Sequence, residues 1–415
     1  MTIDLRIKEP ILRDFDKHLT EAGWKFSGCG PEEKDRQLLE EMPVVIGEFT
    51  KLRPVYRDII EDITRKMGNG MADYCNNAEF NKNGVNTLDD YDLYCHYVAG
   101  LVGEGLTRLF VTADLANPKL LERTDLHNSM GLFLQKTNII RDVHEDWVDK
   151  RRFWPKEIWS KHVSSFDDLF LPANRAAAMN CNSEMILNAL AHVEDCMFYL
   201  AGLREQSIFN FAAIPQVMAI ATLDLCFRNP AVFERNVKIS KGDACRMMLK
   251  TTSVQGACEI FLQYARSIHH KNTTKDPLFL DISIACAKIE RWITAVFPPE
   301  SRRETERRQE EAMLGEAEEE EVPEEVMAKA RRDVQLAISR MDARKIDREA
   351  QRQELWLMLV AGLSTVFVVT VIMVQSPQST DLPFLPSLPL LLLRCWDECC
   401  DRHANHLRLR SHRSA

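Results

Sequence analysis

Between about residue 35 and residue 297, apolar side chains recur with the 3.6-residue period of a helix, and strand-like alternation is nearly absent. Stretches such as SEMILNALAHVEDCMFYLAGL and IPQVMAIATLDLCF follow one another, and Pro298 and Pro299 close the run. A chain patterned this way buries its apolar faces by stacking helix on helix, so the pattern predicts an all-α fold. With 45% hydrophobic residues in 415, the core can be large, and one big helical domain with an attached tail suits the pattern better than several small domains. The net charge of −9 leaves no footprint for nucleic acid. Twelve cysteines are scattered without a CxxC pair, and Cys95, Cys196, Cys226, Cys258 and Cys286 lie in apolar segments, the pattern of reduced thiols on the cytosolic side.

One helix breaks the apolar monotony. In FLQKTNIIRDVHEDW, residues 133–147, Gln135, Asn138, Asp142 and Asp146 are spaced by three, four and four residues, which keeps them on one face of a continuous helix. Asp142, Glu145 and Asp146 can offer Mg²⁺ one or two oxygens while a substrate phosphate supplies others. A DxxED pattern alone is usually solvated surface. Here two amides extend the face, and Lys150, Arg151 and Arg152 follow as cations suited to a departing diphosphate. A second stretch, YCHYVAGLVGEGLTRLF, places Tyr94 and Tyr97 about a turn apart and removes side chains at Gly100, Gly103 and Gly105, where a helix or a ligand would have to approach closely. It is not a dinucleotide fingerprint, because the order is G-x-x-G-x-G with no preceding strand; a nicotinamide cofactor would bind without a Rossmann domain.

The C-terminal third changes character. Residues 298–354 are a charged linker, with EAEEEEVPEE followed by Val326, Ala330, Val334, Ile338 and Met341 at helical spacing. Residues 355–374, LWLMLVAGLSTVFVVTVIMV, carry no charge and are long enough for a transmembrane helix. Arg340, Arg344, Lys345, Arg348 and Arg352 precede this run, so the positive-inside rule places the N-terminal part in the cytosol. The tail at 375–415 is irregular; its Cys395, Cys399, Cys400 and His403 lack the paired spacing of a zinc site and suit palmitoylation better. The opening MTIDLRIKEPILRDF is charged where a secretory leader needs an apolar core, so no signal peptide is expected.

Four blocks, YCHYVAGLVG, MGLFLQKTNIIRDVHED, FWPKEIW and QSIFNFAAIPQVMAIATL, resemble the signature blocks of the squalene synthases and occur in that family's order. The likeness runs from residue 1 to about 295. It implies an all-α isoprenoid-synthase helical bundle around a central cavity, a monomer in the endoplasmic reticulum membrane that crosses it once through its C-terminal helix. The implied reaction joins two farnesyl diphosphates head to head through presqualene diphosphate and reduces the product to squalene with NADPH, assisted by Mg²⁺. By position in the matched blocks, Asp142, Glu145 and Asp146 are the metal carboxylates, and Gln135 and Asn138 line the same face. Tyr94 matches the tyrosine of the first half-reaction, and Phe211 an aromatic residue facing the later cation. Arg141 and Lys238 match NADPH contacts, while Arg151 and Arg152 stand where cations face the diphosphate.

The chain departs from the family's pattern in three places. Ser240 stands where a second basic residue is usual after Lys238, and WVDKRRFWP replaces a glycine-containing turn before FWP. The family's first Asp-rich motif lies just upstream of a Met-Thr-Ile-like segment, and this sequence starts at Met1-Thr2-Ile3. Asp89, Asp90 and Asp92 lack the spacing to replace that motif and are expected to cap the helix that carries Tyr94. The domain at 1–297 is therefore expected to be N-terminally incomplete, with half of the metal site and little or no squalene formation as written. The competing readings are a phytoene-synthase-like condensation without reduction and a catalytically dead, membrane-anchored scaffold.

Overall fold

The computed structural model describes residues 3–30 and 36–298. The charged linker from residue 299, the apolar run at 355–374 and the tail with Cys395, Cys399, Cys400 and His403 lie outside the described residues. Within them the fold is all-α, and the one β feature is an isolated bridge between Ala116 and Leu203. None of the nine described cysteines is in a disulfide.

The helices that shape the site are numbered in chain order. They are α1 (Leu5–Arg13), α2 (Pro54–Asn76), α3 (Leu88–Cys95), α4 (Leu101–Thr112), α5 (Thr124–Arg141) and α6 (Val143–Val148). Then come α7 (Arg175–Leu190), α8 (Val193–Ala201), α9 (Gln206–Cys226), α10 (Val254–Lys271) and α11 (Phe279–Val296). The bundle is organised around α5, which packs against α4, α7, α8 and α9. Its burial runs almost all the way round, from Leu126 and Met130 to Phe133, Ile139 and Ile140, as a central helix requires. The same helix also buries His127, Ser129, Lys136, Thr137 and Arg141, so the middle of the fold is not purely apolar.

Between α3 and α4 the chain makes one π-helical turn, His96–Gly100, ending in a bond from the Leu101 N–H to the His96 carbonyl. This turn and the start of α4 approach α5 so closely that side chains are excluded at the crossing. A Cβ on Gly103 would overlap the His127 carbonyl, and one on Gly131 would overlap that of Ala99. The small residues of the YCHYVAGLVGEG stretch thus serve helix packing, the first of the two uses expected for them. The helix α3 starts as anticipated, with Thr87 and Asp90 in a reciprocal capping box. Asp92 takes no part in that cap and pairs instead with Lys136 of α5. Among the described residues, α9 is long and apolar enough to cross a membrane by length and composition, but it is mostly buried in the bundle.

Candidate active site

The polar stripe survives, though not on the uninterrupted helix that its spacing suggests. The chain bends at Asp142 (φ −94°, ψ 11°), where α5 ends and α6 begins. The bend keeps the helical ladder in register. Asp142 N–H donates to the Asn138 carbonyl at 2.9 Å, and Asp146 N–H donates to the Asp142 carbonyl at 2.9 Å. The side chains of Gln135, Asn138, Asp142 and Glu145 are half-buried, and that of Asp146 is buried.

Each acid already has a partner. Arg141 chelates Asp142 with Nε at 2.7 Å from Oδ1 and Nη2 at 2.5 Å from Oδ2. Arg151 holds Asp146 Oδ1 through Nε at 3.0 Å and Nη2 at 2.9 Å, and also reaches Asp149 at 3.1 Å. Asn236 donates to Glu145 Oε2. Burial, with the charges of Asp142 and Glu145 against the opposing pull of Arg151, pushes the Asp146 carboxyl up to about 7. Among the described residues no three acidic, histidine or cysteine side chains form a set that could hold a metal by themselves. The donors are hard oxygens, and one or two carboxylates supplemented by substrate phosphate is the ordinary Mg²⁺ arrangement, so the residues fit that ion.

Tyr94 is buried beside this group. Its ring stacks on Phe153 at 5.1 Å and Phe80 at 5.7 Å, and meets Tyr74 edge-on at 5.2 Å. Burial raises its hydroxyl well above the usual phenol range, and the charges of Asp146 and Arg151 both reach it. The loop that carries Arg151 is moored beneath α3. Val85 N–H donates to the Arg152 carbonyl at 3.1 Å, and Lys156 N–H to that of Val85 at 3.0 Å. Gly84, at φ +78°, is needed there because a Cβ would overlap the Arg152 carbonyl. Where the family uses a glycine-containing turn, this chain puts Lys150 at φ +60°. Trp154, buried, ties the far end of the loop to α5 through a 3.2 Å bond from Nε1 to the Ile139 carbonyl.

The remaining candidates fall in different places. Arg152 faces Asp167 at 3.5 Å and lies over the Phe166 ring. Lys238 is exposed, but its segment is brought to the site by Asn236, whose bond to Glu145 no sequence motif signals. Arg141 is buried against Asp142, so any contact with a nicotinamide cofactor would have to share that ion pair. Phe211 is half-buried on α9. Gln216 donates to the Met130 carbonyl near its middle, and Cys226 feels the charges of Arg141 and Asp142 at its end. The two helices therefore run parallel. Counting residues puts Phe211 roughly 25 Å from Asp142, at the opposite end of the pair.

The comparisons with known proteins agree with this geometry. The squalene/phytoene synthase family description matches residues 4–243. A probable squalene synthase of Neurospora crassa is 64% identical over 299 residues, covering 72% of this chain and 62% of that protein. Squalene synthases of Gibberella zeae and Schizosaccharomyces pombe are 58% and 54% identical over the same length and the same 72% of the chain, which corresponds to 64% and 65% of theirs. The chain thus spans just under two thirds of the length of these three relatives. Among solved structures, the complex of TcSQS with the ligand E5700 superposes with a TM-score of 0.67 at 38% identity, covering 71% of this chain and 84% of that one.

Proposed function

Because this chain belongs to the squalene/phytoene synthase family, we propose that it carries one diphosphate-binding wall of a squalene synthase, an enzyme that joins two farnesyl diphosphates head to head through presqualene diphosphate and reduces the product to squalene. The observation that carries this reading is the convergence of Asp142, Asp146, Arg151 and Tyr94 at the bend between α5 and α6. Mg²⁺ held by Asp142 and Asp146 would draw charge from the departing diphosphate, and NADPH would supply the hydride of the second half-reaction. Arg151, already beside Asp146, is placed to take up charge on the leaving group. Tyr94 sits in an aromatic wall that keeps water from an allylic cation, and its hydroxyl stays protonated until a base or a leaving oxygen accepts the proton. Anchoring of the cytosolic domain to the endoplasmic reticulum through residues 355–374 belongs to the same proposal and rests on the sequence alone.

The test pairs binding with turnover. The full chain should bind farnesyl diphosphate in a Mg²⁺-dependent manner, and Asp142→Asn should weaken that binding and abolish diphosphate release without unfolding the protein. Unchanged release in that variant would overturn the metal assignment. Product analysis with and without NADPH separates the readings: squalene formed only with NADPH supports the proposal, and a condensed product indifferent to NADPH supports the phytoene-synthase-like reaction. Binding without any turnover fits both the scaffold and a chain that carries one wall of the metal site.

A further inference from the structure

One buried charge takes no part in the diphosphate wall. Lys136 lies between Gln135 and Asn138 in α5, but its side chain is 1% exposed and its ammonium lies against α3 and the start of α8. Burying an ammonium is costly unless every donor finds a partner. Lys136 Nζ is 2.7 Å from Asp92 Oδ1, 2.9 Å from His192 Nε2 and 5.4 Å from the centre of the Tyr91 ring. Since a lysine only donates, His192 Nε2 must accept, which leaves its proton on Nδ1 facing Ser129 Oγ at 3.1 Å. The Ser129 hydroxyl in turn donates to Asp195 Oδ2 at 2.8 Å. This chain of side chains holds the ammonium in one place from the α8 side. On the α3 side, Asp92 Oδ1 is buried and accepts no well-formed hydrogen bond, so the nearby ammonium is what compensates it.

A second polar clasp joins the same two segments one turn further on, where His96 Nδ1 meets Asn128 Oδ1 at 2.7 Å. Asp92 and His96 are four residues apart on the α3 side; Lys136 and Asn128 are eight apart on α5, in the reverse order. The two clasps bracket Tyr94. An apolar side chain of similar length would fill the space of Lys136 but leave Asp92 Oδ1 and His192 Nε2 without their partner, and would remove one of the two clasps that hold α3 on α5.

We propose that Lys136 is a positioning residue for Tyr94: by clasping Asp92 it fixes the axial register of α3 on α5, and with it the place of the Tyr94 ring relative to Asp146 and Arg151. The effect on catalysis rests on the function proposed above; the effect on Tyr94 does not.

The experiment uses the full chain with 3-fluorotyrosine installed at position 94, read by ¹⁹F NMR alongside steady-state turnover of farnesyl diphosphate. In Lys136→Met and in Asp92→Asn the Tyr94 resonance should shift or broaden. Turnover should lose on the order of tenfold to a hundredfold in kcat, with KM within about twofold, the signature of a misplaced group rather than a lost binding contact. The double variant should be no worse than the poorer single one, because both remove the same clasp. Arg266→Ala, which breaks a remote surface pair with Glu290, should leave the resonance where it is. Asp92→Asn decides the matter if Lys136→Met does not fold, since its side chain is half exposed. A wild-type Tyr94 resonance in a folded Asp92→Asn protein would overturn the proposal, as would a loss confined to KM. If the wild-type chain turns over no farnesyl diphosphate, as a single metal-binding wall predicts, Mg²⁺-dependent binding of farnesyl diphosphate judges the functional reading and the resonance alone decides the positioning.

Discussion

Asp146 is the residue whose environment most directly predicts behaviour in solution. Its carboxyl, pushed up to about 7, holds a proton that magnesium would have to displace. Affinity of the chain for Mg²⁺ with inorganic pyrophosphate should therefore climb between about pH 6 and about pH 8, measured by calorimetry; a flat profile would remove Asp146 from the ligand set. The same shift acts on folding. The folded acid keeps its proton up to about 7, whereas the unfolded one releases it near 3.8, so its contribution to stability falls as pH rises through that window. His192 works in the opposite sense. Burial and the Lys136 charge push its imidazole down to about 3, so on acidification the unfolded chain takes up the proton first, and stability is lost as pH falls from about 6.5 towards 3. Thermal melts of His192→Gln should lose less than wild type between about pH 7 and about pH 5, and equal losses would show that His192 is not the group responsible. At this scale the sequence was informative where periodicity applied: the spacing of Asp142 and Asp146 exposed them. It was silent on Lys136, because a lysine beside a polar stripe reads as part of a wet face until the fold shows which way it turns.

The helices themselves were legible from their apolar pattern, supported by side-chain caps at α3 and α9, whereas α5, with Arg123 at its N-cap, starts without one. The bend at Asp142 was not, because neither glycine nor proline marks it; a pairing between the neighbouring side chains of Arg141 and Asp142 accompanies a conformation that residue propensity does not announce. Nor was the close approach at Gly131, whose partner carbonyl lies on another helix. Gly131→Ala would press a methyl group into the Ala99 carbonyl, and backbone cannot yield as a flexible side chain can. The expected cost is about 1–3 kcal/mol, read as a lower melting temperature, while the same change at Gly47, where nothing lies nearby, should be harmless or mildly stabilising. Equal melting temperatures for the two variants would show that α5 and the π-helical turn can separate without penalty.

Across the whole molecule, the parallel run of α5 and α9 separates Phe211 from the acids by most of a helix length. If Phe211 faces the later cation, Phe211→Leu should leave the first condensation nearly intact and slow the second half-reaction, so that a cyclopropyl diphosphate accumulates at the expense of squalene. A variant that slows both steps equally would place Phe211 with the first site or with the core. The family resemblance anticipated the fold class and the order of the blocks; it did not reveal which residues share an end of the bundle, because that depends on the relative direction of helices distant in sequence.

The π-helical turn at His96–Gly100 has a consequence of its own. Such a turn accommodates one residue more than an α-helix would in the same length, so it acts as a phase shifter between α3 and α4. Deleting a single residue there would let the two helices fuse into one continuous α-helix, and everything before the junction would rotate by about 100° relative to α4 and the rest of the bundle. Tyr94 would then point at a different neighbour while the glycine crossing of α4 on α5 stayed as it is. The azimuth of the tyrosine is thus written into the chain as a residue count, independently of any side chain that touches it.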